Sequence, residues 1–306
     1  MQNFSLPTFS HHQKYYSFYS SYFNLTTVDP RLMLVPIDDH GFHRGDGVFE
    51  AVKWNEKNIW LLDQHLDRLF KSAEKISLKI GLSKNEIQHK IIELVDLSGK
   101  ASGMIRIYAT RGPGNFGVSP KETIGSQMYI VTTELKEVSS EILNKGIRLG
   151  FSDIKPKEGI FAQTKSLNYL PNVLMKMECE ARNLDFVVGV NQDNFITESY
   201  TENIFCAMGN KLYYPNFDCI LKGTSLLRLI ELLGLRLKNA ALAYNSISSK
   251  NLTREDLLVS DAIFVIGTTI DVLWVNHLDI KEFSKPTSYD LLRSMLVSDQ
   301  QKKASK

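Results

Sequence analysis

Cysteine, charge of one sign and long apolar runs are all scarce in this sequence, and each scarcity excludes a class of protein. The 306 residues include three cysteines, which have no Cys-x-x-Cys spacing and so provide neither a disulfide framework nor a cysteine zinc site. The 36 basic and 34 acidic side chains give a formal net charge of +2, too small to attract nucleic acid or an anionic membrane over the whole surface. No run approaches the roughly 18 apolar residues of a membrane span. We therefore predict a cytoplasmic enzyme or binding protein.

The remaining composition is that of a folded chain. It is 43% hydrophobic and 23% charged, and a chain of this length can bury a sizeable core without crosslinks. Strands and helices are predicted to mix without a regular βαβα alternation, which favours an α+β fold. Because the stretch 134–141 is charged, we predict it to be a linker between a smaller N-terminal domain, 1–133, and a larger C-terminal domain, 142–306.

Hydrophobic periodicity predicts several of the elements. Apolar residues at helical spacing predict a helix over 63–76 with Asp63 as N-cap, and a second helix that Ser83 caps. A third helix is predicted over 169–182, with Leu170, Val173, Leu174 and Met177 on one apolar face. Strands are predicted over 104–110, 127–133 and 186–190.

Two short turns of small polar residues are candidate anion sites. Gly223-Thr224-Ser225 opens a predicted helix, where exposed amides and two hydroxyls can bind an anion. The alternative is an ordinary Ser/Thr N-cap. Gly267-Thr268-Thr269 follows a predicted strand and has the same two interpretations.

The other polar candidates are weaker when they are considered one at a time. Lys165 lies in a polar turn before a helix and could act as a nucleophile if it were desolvated, although a single lysine is most often solvated. His40 and His43 flank a glycine turn without a third ligand at metal spacing, so no metal site is predicted.

Taken in order, a series of segments resembles the class IV aminotransferases, the fold-type IV pyridoxal-phosphate enzymes. The resemblance extends from about residue 35 to about residue 270, and it is similar above all to the subgroup of plant D-amino-acid aminotransferase-like proteins and aminodeoxychorismate lyases. Its fragments are Val35–His40, His43–Glu50, His65–Leu69, Lys165–Asn172, Ile196–Glu198, Glu202–Phe205, Leu221–Ser225 and Gly267–Thr269. Ser199 departs from the family pattern, which usually has glycine after the glutamate.

The resemblance implies a cofactor and roles for individual residues. Lys165, in the C-terminal domain, would bind pyridoxal 5'-phosphate covalently and shuttle the substrate proton. Glu198 would face the pyridine nitrogen and keep it protonated, and Tyr169 resembles the tyrosine that binds the cofactor's O3'. The resemblance also implies a homodimer. The phosphate would be bound by Arg68, Thr224, Ser225 and Thr268.

Substrate binding is where the pattern departs most from known subgroups. The Arg-x-His carboxylate trap of D-alanine-type enzymes is absent, and Met104 and Arg44 occupy positions where branched-chain enzymes have tyrosines. We hypothesise that Arg44 and Arg106 line a pocket that binds a substrate carboxylate, with Phe49 and Thr269 also at the substrate. The alternative is that one or both arginines pair with Asp or Glu.

These observations predict an aminotransferase that transfers an amino group between a small amino acid and a 2-oxo acid. The strongest alternative is a 4-amino-4-deoxychorismate lyase, which would eliminate pyruvate on the same scaffold. A third possibility is a non-catalytic protein that binds pyridoxal phosphate. The retained lysine and glutamate argue against it, because a pure binder does not need the electron-sink carboxylate.

Overall fold

A computed structural model describes residues 6–56, 58–237 and 244–301. Its backbone contacts divide the chain into two units, residues 1–136 with 164–168, and residues 137–163 with 169–306. The domain boundaries expected from the sequence stay a prediction. The segment that contains Lys165 belongs to the first unit by its contacts.

The first unit is built on an antiparallel sheet covered by helices on one face. Six strands hydrogen-bond in the order β2-β1-β6-β5-β3-β4. The strands are β1 (Tyr15–Ser20), β2 (Leu25–Thr27), β3 (Gly47–Asn55), β4 (Asn58–Ile59), β5 (Ser102–Thr110) and β6 (Gln127–Thr133), and the helices are α1 (His40–Arg44), α2 (Leu62–Lys75) and α3 (Lys84–Ser98).

Alternation along the strands of this sheet divides its residues between two faces. Val48, Glu50 and Val52 share one face of β3, and the apolar members of this face pack with buried residues of α2 and α3, such as Leu66 and Ile91. The intervening residues Phe49 and Ala51 lie on the opposite face. Glu50 is therefore a carboxylate on the core side of the sheet, where burial is costly unless the charge is paired.

The second unit contains a mixed sheet of eight strands. Seven follow the order β11-β10-β9-β12-β13-β7-β8, and β14 pairs with β13. The strands are β7 (Ile147–Phe151), β8 (Phe186–Val188), β9 (Asn203–Met208), β10 (Lys211–Pro215), β11 (Ser246–Lys250), β12 (Ala262–Gly267), β13 (Asp271–Leu278) and β14 (Lys281–Glu282). The helices are α4 (Ser140–Lys145), α5 (Leu170–Ala181), α6 (Thr224–Leu237), α7 (Arg254–Val259) and α8 (Tyr289–Gln301).

Two parallel strand pairs are joined through a helix, β7–α5–β8 and β10–α6–β11. Strands and helices nevertheless do not alternate regularly along the described residues, and the α+β class expected from the sequence is confirmed. In the second unit the core includes buried apolar residues of β7, β9 and β12, such as Leu149, Ile204 and Val265. Within the described ranges, none of the helices combines the length and the apolar character that crossing a bilayer requires.

Candidate active site

The turn that carries Lys165 is fastened to β3 and α2 by its own backbone. The carbonyl of Lys165 accepts a hydrogen bond from Phe49 N at 3.0 Å, and Lys165 N donates to Ser72 Oγ at 3.3 Å. Leu167 N donates to Gly47 O at 2.9 Å. These bonds fix the position of the Lys165 Cα, so the half-buried side chain extends from a held backbone.

The ammonium of Lys165 lies over an aromatic ring. Its Nζ is 4.6 Å from the centroid of Phe49, a separation at which a cation is attracted to the ring face. The Phe49 ring stacks on Tyr108 of β5, with 6.2 Å between the centroids. The face of the first sheet opposite α2 and α3 therefore places an aromatic pair directly beside this lysine.

A buried ionic group lies on the core side of the same strand. Arg68 Nε and Nη2 donate to Glu50 Oε1 and Oε2 at 2.7 and 2.8 Å, and His65 Nδ1 lies 2.7 Å from Glu50 Oε2. His65 and Arg68 are three residues apart on α2, which places both on one face of the helix. Sequence reasoning assigned no role to Glu50 or His65, although both lie in the family segments.

The charges of this group follow from burial and pairing. Burial favours a neutral Glu50, but the charge and hydrogen bonds of Arg68, with those of His65, prevail and lower the pKa of Glu50 well below its usual range. Burial lowers the pKa of His65, and the positive charges of Arg68 and Lys165 lower it further, against an opposing effect of Glu50. The group therefore holds an ionised Glu50 and a neutral His65 at neutral pH.

Glu198, in the second unit, is held by two donors. Its Oε2 accepts hydrogen bonds from Leu221 N at 3.0 Å and from Asn203 Nδ2 at 3.2 Å. Asn203 is the first residue of β9, and its Nδ2 also donates to Leu221 O at 3.0 Å. These contacts orient the carboxylate, which stays half-buried.

Asn203 connects this carboxylate to the N-terminus of α6. A Cβ on Gly223 would lie 1.8 Å from Asn203 Oδ1, so only glycine permits this approach. The first helical bond joins Leu227 N to Gly223 O at 2.9 Å, which makes Gly223 the N-cap and Thr224 and Ser225 the first two helical residues. The ordinary Ser/Thr N-cap considered from the sequence is therefore not what forms here.

The start of α6 has the chemistry of an anion site. Thr224 and Ser225 are 5% and 3% exposed, and the buried Ser225 Oγ has no hydrogen-bond partner in the structure. A buried hydroxyl without a partner is costly, whereas the backbone N–H groups at a helix start favour a negative charge. These residues fit a phosphate group.

Two other predicted cofactor residues of the second unit, Thr268 and Tyr169, and the predicted substrate residue Thr269 lie at the ends of elements. Thr268 is half-buried and Thr269 exposed in the turn between β12 and β13. Tyr169 precedes α5, and its hydroxyl donates to Tyr200 O at 3.3 Å. The roles assigned to these residues stay predictions.

The two arginines predicted at the substrate have different surroundings. Arg44 is exposed at the end of α1, and its guanidinium donates to the carbonyls of His43 and Gly117 at 2.9 and 3.2 Å, and to that of Phe116. Arg106 is exposed in the middle of β5, opposite Ala51. In the part of the chain that the structure describes, neither arginine forms an ion pair with Asp or Glu.

Comparison with known proteins identifies the fold and the family. The chain superposes on the branched-chain aminotransferase from the thermophilic archaeon Thermoproteus uzoniensis with a TM-score of 0.84 and 20% identity. The superposition covers 95% of this chain and 96% of that chain. A putative 4-amino-4-deoxychorismate lyase from Legionella pneumophila gives a TM-score of 0.78 at 24% identity, over 87% of this chain and 95% of that chain. At these identities, the structures establish the fold alone.

The sequence comparisons go further. The model of the amino-transferase class IV family matches residues 47–278. The chloroplastic D-amino-acid transaminase of Arabidopsis thaliana is 32% identical over 262 residues, which cover 85% of this chain and 69% of that protein. The chain belongs to the class IV aminotransferase family, and the resemblance found in the sequence is confirmed.

Proposed function

We propose that this chain uses pyridoxal 5'-phosphate to transfer an amino group between a small amino acid and a 2-oxo acid. The observation that carries the proposal is the link from Glu198 through Asn203 to the start of α6. It joins an oriented carboxylate to the candidate anion site at the start of α6. A pyridine nitrogen and a phosphate are the two groups that such a pair would bind.

The residues present fit this cofactor. Ser225 Oγ, Thr224 and the first N–H groups of α6 would bind the phosphate, and Glu198 would keep a proton on the ring nitrogen. Thr268 and Arg68 would add to phosphate binding, and Tyr169 would bind O3'. When bound, the cofactor supplies a ring that delocalises the charge left after loss of the substrate Cα proton.

Lys165 would perform the proton transfer. Its backbone is held to β3 and α2, so its Nζ can remove the Cα proton and return a proton from a defined position. The aromatic ring of Phe49 beneath Nζ limits the approach of water on that side. Arg44, Arg106 and Thr269, with Phe49, would contact the substrate.

The test is the visible spectrum of the purified chain supplied with pyridoxal phosphate, before and after addition of L-glutamate and then of D-glutamate, with amino transfer to a 2-oxo acid followed in parallel. We expect a visible cofactor band that bleaches with one enantiomer, together with formation of the new amino acid. Lys165→Ala should abolish turnover, whereas Lys71→Ala, an exposed lysine on α2, should not. Undiminished activity of Lys165→Ala would remove the proposal.

Two further outcomes separate the alternatives. A band that survives both enantiomers, with pyruvate released from aminodeoxychorismate, would identify the lyase. Cofactor binding without turnover of any of these compounds would identify a non-catalytic binder.

The apolar face predicted on α5 supports a homodimer. Leu170, Val173 and Met177 are 64%, 49% and 59% exposed, and a contiguous exposed apolar face is typical of a protein interface. Val173→Lys should convert a dimer to a monomer in light scattering after gel filtration. Ile280→Lys, at an apolar residue that is 98% exposed in the turn between β13 and β14, should leave the mass unchanged. A wild-type monomer would exclude the dimer.

A cytoplasmic location also stays a prediction from the sequence. The Arabidopsis relative is named as chloroplastic. Fractionation of the source cells would decide between the two compartments.

A further inference from the structure

Lys157 shares a cavity with the Glu198 carboxylate. Lys157 and Glu198 line one small cavity in the second unit, and the cavity wall also includes Asn172, Ser199 and Cys219. Burial lowers the pKa of Lys157, and Glu198 acts in the opposite direction through its charge. The two side chains are therefore close enough to interact through a partly dehydrated space.

The cavity contains polar atoms with no partner. Ser199 and Asn172 are 2% and 8% exposed, and neither Ser199 Oγ nor Asn172 Oδ1 has a hydrogen-bond partner in the structure. The Asn172 amide is fixed, because its Nδ2 donates to Tyr200 O at 2.5 Å. A hydroxyl, an amide oxygen, an ammonium and a carboxylate around one cavity provide the partners that a bridging water needs.

The other groups that face the Lys157 ammonium do not balance its charge. Its Nζ lies 5.1 Å from the centroid of the Tyr169 ring, and burial raises the pKa of the Cys219 thiol, which favours the neutral form. Glu198 is therefore the anion that faces Lys157 from this cavity wall.

We propose that Lys157 is a positioning residue of the site, which acts on Glu198 across the cavity lined by Ser199 and Asn172 and so sets the negative charge that Glu198 presents to the ring nitrogen of the cofactor. The inference rests on the proposed function in that Glu198 is taken to bind this nitrogen. A positive charge behind the carboxylate weakens its attraction for the proton on the ring. Ser199 contributes a hydroxyl where the family usually has none.

The test compares Lys157→Met with Lys155→Met, an exposed lysine two residues earlier, in protein supplied with pyridoxal phosphate. Loss of the positive charge should raise the pH midpoint of the visible cofactor band by about one unit. Lys157→Arg should stay close to the wild-type midpoint, and Lys155→Met should not differ from it. Ser199→Gly should shift the midpoint in the same direction by a smaller amount. A purely structural contact with Tyr169 would change thermal stability and leave the midpoint in place.

A second measurement needs no substitution at Lys157. The full chain without cofactor is reductively methylated with ¹³C-formaldehyde, and the Lys157 signal is titrated by NMR in the wild type and in Glu198→Gln. The pKa of Lys157 should fall further in Glu198→Gln. Equal titrations in both proteins, or a Lys157→Met midpoint equal to that of wild type with the band present, would overturn the inference and leave the proposed function standing. Absence of any band in the wild type would instead refute the proposed function.

Discussion

Glu50 accepts two parallel hydrogen bonds from the guanidinium of Arg68, at 2.7 and 2.8 Å, on the side of β3 that faces the apolar core. This geometry is the strong bidentate form of an arginine–carboxylate pair. Because Glu50 lies on β3 and Arg68 on α2, a residue of the strand fixes the position of this helix side chain. Any role of Arg68 in phosphate binding therefore depends on Glu50.

Removal of one partner of the Glu50–Arg68 pair should cause a large loss in the free energy of unfolding. Glu50→Gln leaves Arg68, which is 14% exposed on its side chain, without its compensating charge, and we expect a loss of about 3–5 kcal/mol in the free energy of unfolding. Urea denaturation of the two proteins measures this difference. Glu93→Gln serves as the control, because Glu93 pairs with Lys90 on the exposed surface of α3 and such pairs contribute about 1 kcal/mol or less. Equal losses in the two variants would contradict the prediction.

The same group predicts how stability depends on pH. Folding lowers the pKa of His65 and of Glu50, so in both cases the unfolded chain binds protons more readily than the native chain. Stability is then fully present above the unfolded pKa values and falls as the pH drops, first below about 6.5 through His65 and then below about 4.3 through Glu50.

Urea denaturation at a series of pH values between 8 and 3 tests this dependence. His65→Gln should remove the slope in the higher window and retain the one in the lower window. A wild-type stability that stays flat between roughly pH 7 and 5 would show that His65 is not neutral in the native state.

Ser225→Ala should separate stability from cofactor binding. Because the buried Ser225 Oγ has no hydrogen-bond partner in the structure, its removal should not lower the free energy of unfolding without cofactor and should raise it by up to about 1 kcal/mol. The affinity for pyridoxal phosphate should fall by roughly tenfold, as for one lost hydrogen bond to a charged group. Ser260→Ala is the matched control, since the equally buried Ser260 hydroxyl donates to Leu257 O at 2.8 Å. It should lower stability by about 1 kcal/mol and leave the affinity unchanged.

Gly223→Ala should damage the site through Asn203. The new methyl group would lie 1.8 Å from Asn203 Oδ1, so the Asn203 side chain must move and release Glu198. We expect a loss of about 1–3 kcal/mol in stability together with a weaker, shifted cofactor band. Gly234→Ala on the same helix has open space around the added Cβ and should be neutral or stabilising by up to about 1 kcal/mol. An unchanged cofactor spectrum in Gly223→Ala would contradict the proposed link from the start of α6 through Asn203 to Glu198.

Local signals in the sequence predicted those elements whose causes are local. The helix capped by Ser83 forms with a capping box, in which Ser83 Oγ accepts from Glu86 N, and β6 has the predicted bounds. The N-cap predicted at Asp63 is wrong, because α2 begins at Leu62 after Leu61 in the left-handed conformation. Asp63 instead lies in the first turn, where its charge favours the helix N-terminus.

Tertiary context explains the remaining differences. The strand expected over 186–190 ends at Val188, because Gly189 N donates to Glu198 O outside the sheet. The apolar face of α5 has the predicted spacing but is exposed in the single chain. Periodicity identifies an apolar face and does not identify what covers it.

The residues of the candidate site also divide into those that local sequence predicts and those that depend on tertiary context. Lys165 and Glu198 are predicted as site residues because they lie in family segments, and an anion site at residues 223–225 is predicted from the composition of the turn. The bond from Asn203 to Leu221 and the pair of Glu50 with Arg68 each join residues 18 apart in sequence. Such connections depend on the register between elements, which local patterns do not specify.

The segment 164–168 has a consequence for the order of folding. The chain leaves the first unit at residue 136, contributes residues 137–163 to the second unit, and returns for five residues before it leaves again. On the ribosome, most of the first unit is synthesised before Lys165. The hydrogen bond from Phe49 N to Lys165 O can therefore form only after the segment 164–168 has emerged. Docking of the segment that contains Lys165 is thus the last step in completing the first unit. Lys165 cannot reach its final position in a nascent chain before residues 137–163 of the second unit have been synthesised.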